Sequence, residues 1–263
     1  VVGLLEELGV QGDYLKTVNV LDPINGLFPA FRIFDEQNPG DPNAFDVIRQ
    51  LFIKEHGKQA YDDSDILIAT DPDADRAGAG KDYLLQANDA WALLIWYRLM
   101  TMKEQAGSAW KPEDYYLAFT HVTSDLLERV GELFEVPSLG NIYHDVTGKV
   151  VSAYTEGRRS KVGFASLAAF VDQEARPAGK INILAGEQSS GASAFGGERN
   201  LPRETLVSHR DGLLHDPQDV LGENAHIPDK DAPWAIVLLL EFVAWAKTQN
   251  KSIFDILYEE IYP

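Results

Sequence analysis

The sequence Ile66-Leu67-Ile68-Ala69-Thr70 runs directly into Asp71-Pro72-Asp73-Ala74-Asp75-Arg76, and this junction decides how the chain is interpreted. The apolar run predicts a buried strand, and three carboxylates follow it at alternate positions. Carboxylates this close repel one another, and a divalent cation relieves that repulsion. Because Asp oxygens are hard ligands, we expect Asp71, Asp73 and Asp75 to hold Mg²⁺. The alternative interpretation is an acidic turn that binds no metal.

The composition limits the classes of partner. The chain has 263 residues, which is enough for one large domain or two ordinary ones. Hydrophobic residues make up 45% of it, which is enough for a sizeable core. The chain carries 41 acidic and 23 basic residues, a formal charge of -18, so we expect neither nucleic acid nor anionic membranes as partners. The absence of cysteine excludes disulfides, thiolate catalysis and cysteine zinc sites, and it is typical of a cytoplasmic protein.

Apolar runs that alternate between strand and helix periodicity predict an α/β fold with a parallel or mixed sheet. The predicted strands are 15–21, 65–70, 115–122, 150–154 and 181–185. The predicted helices are 4–8, 44–57, 87–102, a helix capped at 123–125 that runs to about 133, 162–172, 233–248 and 253–262. The pattern restarts near residue 82, which predicts two domains, 1–82 and 83–263.

A second polar loop follows the predicted strand at 181–185, with the sequence Gly186-Glu187-Gln188-Ser189-Ser190-Gly191. Ligands of α/β sheets bind beyond the carboxyl ends of strands. We expect Glu187 to accept hydrogen bonds from sugar hydroxyls, and Ser189 to donate or accept them. A solvated Gly/Ser loop is the alternative.

Cations that could bind a phosphate group occur in two places. Arg158, Arg159 and Lys161 are closely spaced, which is unusual in so acidic a chain. Lys230 precedes the predicted helix at 233–248 and could face a cleft, while Asp231 is the better candidate for that helix's cap. For Arg158, Arg159 and Lys161, a solvated basic loop paired with surface acids is the alternative.

Together these loops resemble the α-D-phosphohexomutase superfamily, the phosphoglucomutases and phosphomannomutases. The resemblance covers almost the whole chain and depends on the order of its motifs as much as on any one of them. The loop 71–76 matches the family's metal loop, and Thr123-Ser124-Asp125-Leu126-Leu127 is similar to its Thr-Ser-x-Leu-Leu segment. Three further motifs depart at one position each. They are Gly186-Glu187-Gln188-Ser189, with Gln188 for Glu; Lys161-Val162-Gly163-Phe164, with Ala165 for Lys; and Asp229-Lys230-Asp231, with Ala232 for Gly.

The resemblance implies two three-layer α/β/α units with mixed sheets. Residues 1–82 would correspond to the family's metal-binding second domain, truncated at its N-terminus, and 83–263 to its sugar-binding third domain. The family's phosphoserine loop and its C-terminal phosphate loop have no counterpart in these 263 residues. We therefore expect a catalytically incomplete fragment, with a phosphoserine domain and a phosphate-binding domain as the missing partners.

The implied activity is the Mg²⁺-dependent interconversion of hexose 1-phosphate and hexose 6-phosphate through a phosphoserine, with glucose favoured over mannose. Asp71, Asp73 and Asp75 would hold the metal, and Arg76 would stabilise the phosphoryl group as the catalytic cation. The implied substrate-binding residues are Glu187, Ser189, Arg158, Arg159, Lys161 and Lys230.

Three alternatives to this function stay open. The first is a phosphomannomutase, with mannose as the preferred hexose. The second is a phosphatase of the haloacid-dehalogenase type with Asp71 as nucleophile, although Ala74 stands where that family has Thr or Val. The third is a non-catalytic module that binds a sugar phosphate.

Overall fold

The computed structural model describes residues 1–19, 21, 38–139, 160, 162–171, 177–188, 191–197 and 229–262, and shows an α/β protein. The chain forms two compact units. The first comprises Val1–Ala90, Ser189–Gly191 and Asp231–Pro263, and the second comprises Trp91–Gln188 and Ala192–Lys230. Within the described ranges, every helix is too short or too polar to cross a membrane.

The first unit combines helices with one β-hairpin. Its strands β1 and β2 pair antiparallel, from Leu67 opposite Gly80 to Thr70 opposite Ala77. Its elements are α1 (Val2–Glu7), α2 (Pro42–His56), α3 (Lys58–Asp63), β1 (Leu67–Thr70), β2 (Ala77–Gly80), α7 (Ala232–Thr248) and α8 (Ile253–Ile256), with a π-turn at Leu257–Ile261.

Local sequence signals fix where these helices begin and end. The Asp41 carboxylate accepts from the backbone N–H groups of Asn43 and Ala44, and Pro42 occupies the first turn of α2. The helix stops at Gly57, whose φ of +88° belongs to the left-handed region that glycine tolerates. Ser252 forms a capping box with Asp255 at the start of α8.

Helices cover both faces of the hairpin. Adjacent residues of a strand point to opposite faces, so Leu67 and Ile68 enter different cores. Leu67 packs with Leu84, with Phe45 and Phe52 of α2 and with Tyr61 of α3. Ile68 and Ala77 pack on the other face with residues of α1 and α7: Leu5, Ala232 and Ile236.

The second unit contains a four-stranded sheet in the order β4-β3-β5-β6. The central strand β3 pairs parallel with both β4 and β5. Its elements are the main part of α4 (Ala87–Ala106), β3 (Tyr115–Phe119), α5 (Leu126–Leu133), β4 (Ser138–Leu139), α6 (Phe164–Phe170), β5 (Ile181–Glu187) and β6 (Gly191–Ser193).

The two faces of this sheet bind different helices. Helix α6 packs on the face that carries Tyr116, Ala118 and Ala185. On the other face, α4 is anchored to β5 because the Trp91 indole N–H donates to the Glu187 carbonyl at 2.9 Å and Arg98 donates to the Ile183 carbonyl at 2.7 Å.

Most of the predicted elements are confirmed, with shifts of a few residues at their ends. The predicted strand at 15–21 is wrong, because the described residues 15–19 and 21 form no strand, and the predicted strand at 150–154 lies outside the described residues. The sequence analysis missed α3 and also β2, because Ala77-Gly78-Ala79-Gly80 lacks the β-branched side chains that mark strands. The compact units also differ from the predicted domains, since 83–90 and 231–263 group with the first unit.

We predict that Gly78→Ala destabilises the first unit by roughly 1–3 kcal/mol. A Cβ at this position would overlap the carbonyl oxygen of Pro39 and would lie 3.3 Å from Leu84 Cδ1, so backbone must move. Gly3→Ala is the matched control, because a Cβ there has nothing within 4 Å and Ala is the better helix former. Urea unfolding curves of both variants test the prediction, and equal midpoints would contradict it.

Candidate metal centre

The three predicted metal ligands lie in the loop that joins β1 to β2. Three hydrogen bonds close this loop on itself. The Ala74 N–H donates to the Asp71 carbonyl at 3.1 Å, and the Asp71 N–H donates to the Arg76 carbonyl at 3.4 Å. The Arg76 N–H donates to Asp71 Oδ1 at 3.0 Å. Ala74 has a φ of +55°, a conformation that costs a non-glycine residue roughly 1–2 kcal/mol. The loop therefore holds a defined shape at a local cost.

This shape brings the carboxylates together. Asp71, Asp73 and Asp75 each offer an oxygen, and these oxygens lie within 4.8 Å of one another. The Asp71 side chain is only 13% exposed, compared with 30% for Asp75, and Asp73 is exposed. Burial, assisted by the negative charges of Asp75 and Asp73, raises the pKa of Asp71 to about 6. The folded loop thus disfavours the ionised form of Asp71, which a bound cation would stabilise.

Arg76 compensates for part of this negative charge. Its Nε lies 4.0 Å from Asp71 Oδ2 and 3.9 Å from Asp75 Oδ1, which is close enough for ion pairing but too far for hydrogen bonding. The side chain is 39% exposed, so solvent weakens both contacts. One guanidinium faces three carboxylates, and the loop keeps a net negative charge when all of them are ionised.

The donor set fits a small hard cation. In an octahedral Mg²⁺ site with bonds of about 2.1 Å, opposite oxygens stand about 4.2 Å apart. Adjacent oxygens of such a site stand about 3.0 Å apart, so the three Asp oxygens, which lie within 4.8 Å of one another, must move closer by up to about 1.8 Å through side-chain rotation. Asp73 and Asp75 have exposed surface, which leaves room for this adjustment and for further ligands from solvent.

The predicted sugar-binding loop is only partly described. Glu187 is 4% exposed at the end of β5, and its Oε1 accepts from the Gly163 N–H at 2.7 Å. Ser189 and the three cations of the predicted phosphate loop, Arg158, Arg159 and Lys161, lie outside the described residues. Lys230 is half-buried just before α7. The predicted cap of that helix is confirmed, because Asp231 accepts from the Trp234 N–H at 3.0 Å.

The structure thus gathers Asp71, Asp73, Asp75 and Arg76 in one loop of the first unit, and it places Glu187 in the second. Sequence reasoning missed the contact between Glu187 and Gly163. The two residues are separated by 24 positions, and the donor is a backbone N–H, which nearly every residue type has, so the sequence does not single it out. The turn-like Gly163, just before an apolar helical run, was the only available signal.

No protein-family model matches this chain, and a search of curated proteins found no match to it. The residues of the loop and their geometry therefore carry the functional proposal.

We predict that Asp71→Asn stabilises the metal-free protein at pH 7 by about 1–2 kcal/mol, because it removes a partly buried negative charge and keeps an oxygen for the Arg76 N–H. Asp13→Asn, an exposed change in the same unit, is the matched control and should alter stability by less than about 0.5 kcal/mol.

Added Mg²⁺ should narrow this difference in stability, because it stabilises the wild type alone. At a concentration near ten times its Kd, the ion should raise the Tm of the wild type by roughly 2–4 °C and leave Asp71→Asn nearly unchanged. Differential scanning calorimetry with and without Mg²⁺ measures both effects. Equal Mg²⁺ shifts in the two proteins would exclude Asp71 as a ligand.

Proposed function

We propose that this chain carries the metal-binding and sugar-binding parts of a Mg²⁺-dependent hexose phosphomutase, which interconverts hexose 1-phosphate and hexose 6-phosphate. The observation that carries the proposal is the cluster of Asp71, Asp73 and Asp75, three carboxylates held within 4.8 Å in a loop that also contains Arg76. An acidic loop with an adjacent guanidinium suits phosphoryl chemistry, because a metal and an Arg can bind oxygens of the same anion.

In this proposal the chain's own residues orient the phosphoryl group. Asp71, Asp73 and Asp75 would hold Mg²⁺, which supplies positive charge for phosphoryl oxygens. Arg76 lies near two of these carboxylates and would donate hydrogen bonds to the same phosphoryl group. The hydrogen bond from the Arg76 N–H to Asp71 Oδ1 holds the Asp71 carboxylate beside the backbone of Arg76.

The hexose would be bound by residues of the second sequence cluster. Glu187 and Ser189 would bind its hydroxyl groups, and the cations Arg158, Arg159, Lys161 and Lys230 would neutralise its phosphate. Local cations are required, because a chain with a formal charge of -18 repels a phosphorylated ligand at long range. Helices on both faces of the hairpin and of the larger sheet support the three-layer α/β/α arrangement that the resemblance implies.

The proposal requires partners for turnover. A phosphoserine domain would supply the phosphoryl group, and a further domain would supply the second phosphate site, with glucose as the preferred hexose. Binding of metal and of sugar phosphate are therefore the properties to measure on this chain. The absence of cysteine is consistent with action in the cytoplasm.

We predict that the chain binds glucose 6-phosphate in the presence of Mg²⁺ at least about tenfold more tightly than glycerol 3-phosphate, because only the hexose offers a ring of hydroxyls. Asp73→Ala should weaken Mg²⁺ binding by a similar factor or more, since it removes one of three ligands. Isothermal titration calorimetry of the wild type, Asp73→Ala and the control Asp13→Ala measures both affinities.

Separate outcomes test the metal site, the sugar specificity, the phosphomannomutase and, in a labelling experiment, the phosphatase. Equal Mg²⁺ affinity in the wild type and Asp73→Ala would refute the metal site, and equal binding of the two phosphates would refute the sugar specificity. Tighter binding of mannose 6-phosphate than of glucose 6-phosphate would favour a phosphomannomutase. Stable labelling of Asp71 by beryllofluoride, a phosphate mimic, would favour the phosphatase.

A further inference from the structure

Glu187 joins the helices on the two faces of the second unit's sheet. Its backbone carbonyl accepts from the Trp91 indole N–H of α4 at 2.9 Å. Its side chain reaches α6, where Oε1 accepts from the Gly163 N–H at 2.7 Å. Since the residue is the last of β5, its main chain and its side chain tie the end of this strand to both helices.

The surroundings of Glu187 are polar and buried. Thr123 Oγ1 donates to the Gly186 carbonyl at 3.5 Å and lies 2.9 Å from Thr120 Oγ1. Thr120 forms a parallel bridge with Ser160, whose carbonyl accepts from the His121 N–H at 3.1 Å. The ends of β3 and β5, together with the segment at Ser160, are thus connected by hydrogen bonds at the edge where ligands of parallel sheets bind.

Burying a carboxylate is unfavourable unless hydrogen bonds replace the lost water. The Gly163 N–H provides one of these bonds, and Gly163 immediately precedes α6. The first N–H groups of a helix have no partner within the helix. Gly163 has no side chain to cap them and a φ of +104°, which favours glycine. The Glu187 carboxylate therefore fixes the conformation in which the chain enters α6.

We propose that Glu187 is a positioning residue for Val162-Gly163, the segment that leads into α6, in addition to any contact it makes with a sugar. This inference rests on the proposed function, because that segment follows the cations assigned to phosphate. Glu187 holds the Gly163 N–H and so fixes Gly163, the residue directly before α6, relative to the end of β5. Loss of the carboxylate would therefore weaken binding of the phosphate group as well as of the hexose.

Two probes separate this role from simple sugar binding. A residue that only contacts hexose hydroxyls affects glucose 6-phosphate and leaves inorganic phosphate unchanged. A positioning residue weakens binding of both ligands by similar factors, because it acts through the segment before α6. Glu187→Gln is the conservative variant, since its side-chain oxygen can still accept from the Gly163 N–H.

We expect the hydrogen-exchange protection of the Gly163 amide to fall by a factor of about ten or more in Glu187→Ala. In Glu187→Gln most of this protection should remain. Titrations with inorganic phosphate and with glucose 6-phosphate should show parallel losses in Glu187→Ala and rescue in Glu187→Gln. Glu132→Ala, an exposed change on α5, is the matched control and should change none of these values.

The exchange measurement needs no ligand, so it separates failure of this inference from failure of the proposed function. If the Gly163 amide exchanges equally fast in the wild type and in Glu187→Ala, Glu187 does not position this segment. If Glu187→Ala loses affinity for glucose 6-phosphate alone, the residue is a sugar ligand and the inference is refuted. If the wild type binds neither ligand, the proposed function fails, and the exchange of Gly163 still decides the positioning role.

Discussion

The close pairing of β1 with β2 is the constraint on which the candidate metal centre depends. This hairpin fixes Thr70 opposite Ala77, so the loop between them must return within a short span. The pairing is possible because Gly78 and Gly80 let the backbone of Pro39 and Tyr83 approach β2 more closely than any side chain would allow. Helical cores on both faces hold the hairpin, and three carboxylates that would separate in an unfolded chain are kept together.

The electrostatic interactions within this loop lower the stability of the folded state. Burial, assisted by the neighbouring negative charges, raises the pKa of Asp71 and disfavours its ionised form, and Ala74 adds a left-handed backbone conformation. Features of this kind persist where the surrounding structure is stable enough to impose them, and they concentrate at functional sites. The hairpin core supplies that stability, so the loop can hold excess negative charge ready for a cation. A solvated turn without function would gain from spreading its carboxylates apart.

The sequence predicted the parts of the fold that depend on periodicity and on capping. Helix α2, the strands β1, β3 and β5, and the caps at Asp231 and Ser252 all carry local signals of a few residues. Strand β2 carries none, because Gly78 is required by the backbone of Pro39, 39 residues earlier in the chain, and Gly80 by the backbone of Tyr83. The clustering of the three carboxylates was predictable because they lie in one short loop. The division into compact units was not, since it depends on packing between α7 and the distant hairpin.

Glu187 shows why a motif alone gives an incomplete account of a site residue. The sequence places a carboxylate at the end of a strand, and a resemblance assigns such a carboxylate to sugar hydroxyls. The structure adds that this carboxylate is 4% exposed and already bound to the Gly163 N–H. A carboxylate oxygen can accept more than one hydrogen bond, so the two roles are compatible. Their combination would have a physical advantage, because a carboxylate that is already held by the Gly163 backbone would lose little freedom on binding a ligand.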